Sequence, residues 1–326
     1  MSYEYDLTFH AMGSDIRLII GRPLTPDAPS PMHAAERERA FIEDFAARLS
    51  RFRPDSELSA LNRAPGEKVP AGPLLRTAVN AGLWAARRSG GLVDPTLVGA
   101  LQRAGYESSH DGREPASLRE ALAAAPPRRP ASSNPERLWQ RISVDDRAGT
   151  VCRPAGLEID TGGTGKGLCA DAVAHRLAGY TRCVVDCGGD LAIGGVGAQL
   201  DPFAVEIEHP FSGETIRSVE IAAGGIATSG LNVRLWRGAD GAFAHHLLDP
   251  ATGRPAWTGL IGATALAPSA LEAETLAKTA LLLGEPGAGL VLAEYGGLVV
   301  RDDGEVLEFG PLGESRALLA TGTDAR

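Results

Sequence analysis

Aromatic side chains are scarce, 5% of 326 residues, so the core has to be built from Ala, Val, Leu and Ile. Cysteine is rarer still. Cys152, Cys169, Cys183 and Cys187 lack the paired spacing of a zinc site and read as small core residues in a reducing compartment. No apolar run approaches the ~20 residues of a membrane helix. The opening MSYEYDLTFHAMGS has neither the charged nor the apolar region of a secretory leader. A cytoplasmic chain without membrane insertion is therefore expected. Basic residues are outnumbered, 32 against 41 acidic, for a net charge of −9. That balance argues against a nucleic-acid partner. Glycine (40) and proline (22) are what the chain has in quantity, and they imply many turns.

Hydrophobic periodicity places the elements. Residues 4–21 read as two strands meeting at Met12-Gly13-Ser14. A helix follows over 34–52 with Phe41, Phe45 and Leu49 on one stripe. Asp55 or Ser56 caps a short second helix, and a third covers Pro73 to Arg88. Residues 107–135, rich in Ser, Pro, Ala and Arg, read as a surface excursion with a helix at Leu118 to Ala124. Strands are expected at Ile142–Val144, Val151–Cys152, Leu157–Ile159, Ala204–Ile207, Ser218–Ile221, Ile226–Thr228 and Gly262–Leu266. A helix from Ala270 to Leu283 and another to about Glu294 precede a hairpin turning at Asp302-Asp303-Gly304. Helices interspersed with hairpin-connected strands give an α+β class. The whole chain, 1–326, reads as a single domain whose residues 315–326 fray.

The most informative stretch is GLEIDTGGTGKGLCADAVAHRLAGYTRCVVDCGG, Gly156 to Gly189. A strand-like run ending at Asp160 leads into Gly162, Gly163, Gly165 and Gly167 around Lys166, and then into a helix. Bare backbone N–H groups and a helix N-terminus are how proteins hold phosphate, so a phosphate or pyrophosphate grip is one reading. A tight turn with a solvated lysine is the other. It is not a P-loop: Asp160 stands where the first glycine belongs, and Gly167 where Ser or Thr would hold magnesium.

Three further stretches carry candidate chemistry. In HHLLDPATGRP (His245 to Pro255) a rigid Asp-Pro-x-Thr-Gly turn holds His246 in place as a general base would be held. His245 reads as a half-buried residue at a strand end. In ATSG, Thr228 and Ser229 offer hydroxyls to a phosphate or simply form a turn. On the late helix Glu274 and Lys278 stand at i,i+4, the spacing of a surface ion pair.

Taken in order, these stretches resemble the FAD:protein FMN transferases, the ApbE family. The likeness begins at Ala11-Met12-Gly13-Ser14 and runs through SRFRPDSELSALN, GLVDPT, DTGGTGKGLCAD, CGGD, ATSG and HLLDPATGRP. It implies an α+β fold of two similar halves, with mixed and antiparallel sheets flanked by helices. It also implies an enzyme that cleaves FAD, attaches FMN by a phosphoester to Ser or Thr of an acceptor protein, and releases AMP. An FAD diphosphatase and a non-catalytic FAD-binding protein are the alternatives. Under the resemblance Met12, Phe52, Leu92, Val93, Asp94, Asp160, Lys166 and Leu247 line the flavin and its diphosphate, with Thr228 and Ser229 beside them. Lys166 serves the diphosphate and His246 takes the acceptor's proton. The Gly163 carbonyl and Glu274 are implied ligands of Mg²⁺. Two positions depart from the family pattern Ala-Asp-x-x-Ala-Thr. Glu274 stands at the Asp, where its longer arm can still bind magnesium. Lys278 stands where a Thr ligand is usual, and a charged lysine has no lone pair to offer. The Lys278 ammonium is expected where the cation or its ligand would sit, giving weaker metal dependence or a changed activity. Lys166 and His246 are expected to open onto one cavity.

Overall fold

The computed structural model describes residues 4–109, 116–238 and 241–312, and the backbone of 316–317. Among these the backbone is organised by one ten-stranded sheet. Its path runs Tyr5–Ala11, Ser14–Ile20, Cys183–Cys187, Asp190–Gly194, Thr215–Gly230, Leu260–Ala267, Gly297–Arg301, Val306–Phe309, every neighbouring pair antiparallel. Phe203–Glu208 and the two residues Arg316–Ala317 attach to the long central strand, the latter in parallel. Residues 318–326, most of the segment expected to fray, lie outside the described residues.

Local chemistry accounts for the edges of this sheet. The first hairpin turns on Met12 (φ 54°) and Gly13 (φ 66°), the doubly left-handed geometry that matches strand twist in a two-residue loop. Alternation then buries Ile16, Leu18 and Ile20 on one face. These join Ile42 and Phe45 of the Pro31–Leu49 helix, Leu75 of Pro73–Arg88 and Val173 of Gly165–Arg176 in one core. A second core gathers Ile226, Ile261, Ala265, Leu276, Leu281 and Val299 under the late helix Ala270–Leu292. Each half of the α+β fold thus has its own core along a shared sheet.

Two sequence expectations need correcting. Leu157–Ile159 is not a strand. The side-chain amide of Asn62 donates to Ile159 O (2.8 Å) and accepts from Ile159 N–H (2.9 Å), so a side chain takes the place of a ladder partner. The strands expected at 218–221 and 226–228 are one strand, Thr215–Gly230. Its first half pairs with Phe203–Glu208 and its second half with Asp190–Gly194 and Leu260–Ala267, and Gly224 at φ 121° stands between. Glycine bends this strand without ending it. The late helix does break where expected, at Gly284 (φ 70°).

The segment 116–135 is tied down rather than adrift. Its helix is Leu118–Ala124, Ala131 N–H donates to Leu282 O, and Ser132 N–H donates to Asp249 Oδ1. Among the described residues no helix is long and apolar enough to cross a membrane.

Candidate functional site

The late helix is docked by its first turn. Asp171, on the glycine-loop helix Gly165–Arg176, accepts from Ala270 N–H (2.7 Å) and Leu271 N–H (2.9 Å). A Cβ at Gly167 would lie 2.6 Å from Ala270 O, and one at Gly225 2.4 Å from Ala270 N. Two glycines therefore let helix and strand close on the same turn. Gly167 occupies the P-loop Ser/Thr position because a neighbouring backbone needs the space.

That docking sends Glu274 to the glycine loop. Its Oε2 accepts from Gly167 N–H at 2.9 Å and its Oε1 from Lys278 Nζ at 2.7 Å. The pair expected on the surface is buried, Glu274 at 0% and Lys278 at 9% exposure, because this face of the helix packs on its neighbour rather than on water. Burial raises the Glu274 pKa against the opposing pull of Lys278. At Gly167 the helix end faces a protein carboxylate rather than an open phosphate site.

Lys166 leaves the loop sideways. It donates to Gly188 O (2.9 Å) and pairs with the buried Asp190 (2.8 Å). Burial lowers its pKa, but Asp190 and Glu274 outweigh that and the net shift is upward. Its ammonium is secured as a fixed cation.

His246 is placed by a small ladder. Leu235–Arg237 pairs with Phe243–His245, with Leu235 opposite His245. Arg234 and His246 are the next step of that register. Downstream, Ala256 N–H donates to Leu247 O, and Asp249 accepts from Ser132 N–H, Ala251 N–H and Thr252 Oγ1, which fixes the turn. Burial first, then the charges of Arg234, His245 and Lys278, holds the His246 imidazole well below 6.5. Neutral at pH 7, it has a lone pair for a proton. His245 is fully buried at the strand end, edge-on to Trp257 at 4.8 Å between centroids.

Two cavities meet here. The smaller, about 130 Å³, is lined by Leu92, Val93, Asp94, Gly163, His246, Leu247 and Lys278 among others. The larger, about 720 Å³, is lined by Met12, Gly165 and Lys166 among others. Arg51, Phe52, Tyr106, Asp160, Gly162 and Arg234 border both, so the cavities are two lobes of one cleft joined at a neck. The expectation that Lys166 and His246 open onto one cavity is not met: His246 lines the smaller and Lys166 the larger, and the two cavities share only the residues that border both. Thr228 and Ser229 line neither lobe; Thr228 shares its hydroxyl with Thr264 at 2.9 Å. Glu274 also lines neither, standing behind Lys278.

The neck holds residues that motif reading passed over. Arg51 lies 4.1 Å from the Phe52 ring centroid and 4.6 Å from that of Tyr106, donates to Tyr106 O, and pairs with Asp160 at 3.4 Å. Tyr106 stacks on Trp236 at 5.4 Å. Lys166, Lys278 and Arg51 each face a carboxylate; among the described residues Arg234 has none within ion-pair distance. Among the described residues the neck therefore carries one cation without a carboxylate partner. No sequence signal marks Arg234, because only the ladder register sets it opposite His246.

A divalent ion fits this donor set poorly. Among the described residues no three His, Cys, Asp or Glu side chains gather as a metal site. Both Glu274 oxygens already accept hydrogen bonds, and an ammonium stands beside the Gly163 lobe.

Comparison with known proteins agrees with this architecture. A "FAD:protein FMN transferase" of Treponema pallidum is 29% identical over 306 residues, 87% of this chain and 82% of that one. One from Salmonella typhimurium is 28% identical over 256 residues, 76% of this chain and 70% of that one. The crystal structure of the ApbE protein of Thermotoga maritima superposes with a TM-score of 0.75 at 23% identity, covering 94% of this chain and 97% of that one. The flavin transferase ApbE of Vibrio cholerae gives 0.73 at 21% identity, covering 97% and 98%. The family model described as "ApbE family" matches residues 12–300, and the chain belongs to that family.

Proposed function

We propose that this chain is a flavin transferase: it cleaves FAD, passes the FMN phosphoryl group to a Ser or Thr hydroxyl of an acceptor protein, and releases AMP. One observation carries the reading. Two lobes joined by a neck whose Arg234 has no carboxylate partner among the described residues match a molecule of two ring systems joined by a diphosphate. The relatives' printed activity is the same.

In this reading Arg234 and Lys166 receive the diphosphate charge. Phe52, Leu92, Val93, Asp94, Leu247 and Met12 wall the ring systems, and Asp160 holds Arg51 at the neck. The acceptor oxygen attacks the FMN-side phosphorus, its proton passes to neutral His246, and the P–O bond to the AMP phosphate breaks. Positioning and fixed charge supply most of the acceleration in such transfers. Four free cysteines support a reducing compartment and, with it, a cytoplasmic acceptor.

The test is incubation of the chain with FAD and cell extract, following AMP by chromatography and protein-bound flavin fluorescence in denaturing gels. A fluorescent covalent band with AMP is expected, and His246→Ala should slow both by about 10²–10⁴. Free FMN with AMP and no band would instead make it a diphosphatase; intact bound FAD would make it a flavin-binding protein.

A further inference from the structure

The late helix brings an ammonium of the chain's own into the smaller lobe of the cleft. Ala270, Glu274 and Lys278 form one stripe of the late helix, and its first turn is clamped by Asp171, Gly167 and Gly225. Glu274 is fully buried with both oxygens in use, one on Lys278 Nζ and one on Gly167 N–H. A divalent ion could reach this carboxylate only by displacing an ammonium or uncovering the helix end. Lys278 also lines the smaller lobe together with Gly163 and His246. An ammonium has no lone pair for a metal, and its charge repels one at short range.

We propose that Lys278 is the resident cation of this cleft, so that the flavin dinucleotide enters with a metal-free diphosphate. The inference rests on the transferase reading above. During transfer the acceptor oxygen bonds to the FMN-side phosphorus and its proton goes to His246. The bridging P–O bond breaks with its electron pair on the departing AMP phosphate, where the Lys278 ammonium is the counter-charge. No metal and no redox partner enters the balance.

Two measurements on the full chain test it. In the first, AMP release from FAD is followed in excess EDTA and in Mg²⁺, for the wild type, Lys278→Thr and Lys278→Met. Dialysed cell extract supplies the acceptor hydroxyl, and extract alone is the blank. The expected wild-type rates agree within about twofold. Lys278→Thr should lose at least 100-fold in EDTA and recover with Mg²⁺, because the hydroxyl admits an ion; Lys278→Met should lose as much and not recover. In the second, Mn²⁺ is titrated into nucleotide-free protein and free ion is read by electron paramagnetic resonance. The wild type should bind none and Lys278→Thr one per chain. A wild-type chain that binds one Mn²⁺, or whose AMP release is abolished by EDTA and restored by Mg²⁺, overturns the proposal. Should Lys278→Thr not fold, as circular dichroism would reveal, the two wild-type measurements still decide. Should FAD survive in every buffer, the transferase reading fails, while the Mn²⁺ titration still decides the claim about the cation.

Discussion

At the scale of single residues, charge bookkeeping singles out Arg234. Arg51 is paired with Asp160, Lys166 with Asp190 and Lys278 with Glu274, so each meets a ligand with its charge already shared. Among the described residues, only Arg234 brings the neck a charge with no carboxylate within ion-pair distance, and both lobes share it. Charge-assisted hydrogen bonds to such a group are worth about 1.5–3 kcal/mol. Arg234→Gln is therefore expected to raise the KM for FAD by roughly 10- to 150-fold. The same change removes a positive charge beside His246 and lets its depressed pKa rise. The acid limb of kcat/KM should then move to higher pH. Steady-state kinetics across pH would read both, and an unchanged KM would remove Arg234 from the diphosphate site.

At the scale of elements, the site depends on how two helices approach. A Cβ at Gly165 meets nothing within 4 Å, whereas one at Gly167 meets Ala270 O at 2.6 Å. Overpacking against backbone costs typically 1–3 kcal/mol, and a displaced late helix takes Glu274 and Lys278 with it. Gly167→Ala is expected to lower Tm by several degrees and to impair FAD turnover. Gly165→Ala should leave Tm within a degree, or raise it through better helix propensity. Thermal melts of the two variants separate packing from loop flexibility. This difference was hidden in the sequence, where four glycines around one lysine look alike. Local signals were legible: the Ser56 cap, the Asp302-Asp303-Gly304 turn, the break at Gly284 and the rigid Asp249 turn all follow from short-range chemistry. What depended on register or on helix docking was not. Arg234 beside His246 depends on the register of a hairpin, while Arg51 against Tyr106 and the burial of Glu274 depend on segments distant in sequence. The surface-pair reading of Glu274 and Lys278 failed for this reason, since i,i+4 spacing says nothing about what covers that face.

At the scale of the whole molecule, the same burial that prepares the base links stability to pH. Full burial pushes His245 down to about 3 from its ordinary 6.5. Between those values the unfolded chain binds a proton there that the folded chain refuses. Stability is therefore complete above pH 6.5 and declines as pH falls through the window, by about 1.4 kcal/mol per unit for one such group. His246, also depressed, adds in the same direction. Asp94, Asp171 and Asp186, raised by burial, act oppositely near the carboxylate range, and Glu274, raised to about 6, does so within the pH 8 to 5.5 interval. The difference between wild type and a His245 variant, rather than the wild-type loss alone, therefore reports the imidazole. Denaturant melts across that interval should lose about 1–3 kcal/mol in the wild type. In His245→Phe, which keeps a ring against Trp257, the loss should shrink by about 1.4 kcal/mol, whatever the variant does to absolute stability. Parallel curves for the two proteins would mean that His245 is reached by water in the native state. The sealed strand end behind His246 would then no longer explain why the neighbouring imidazole stays neutral.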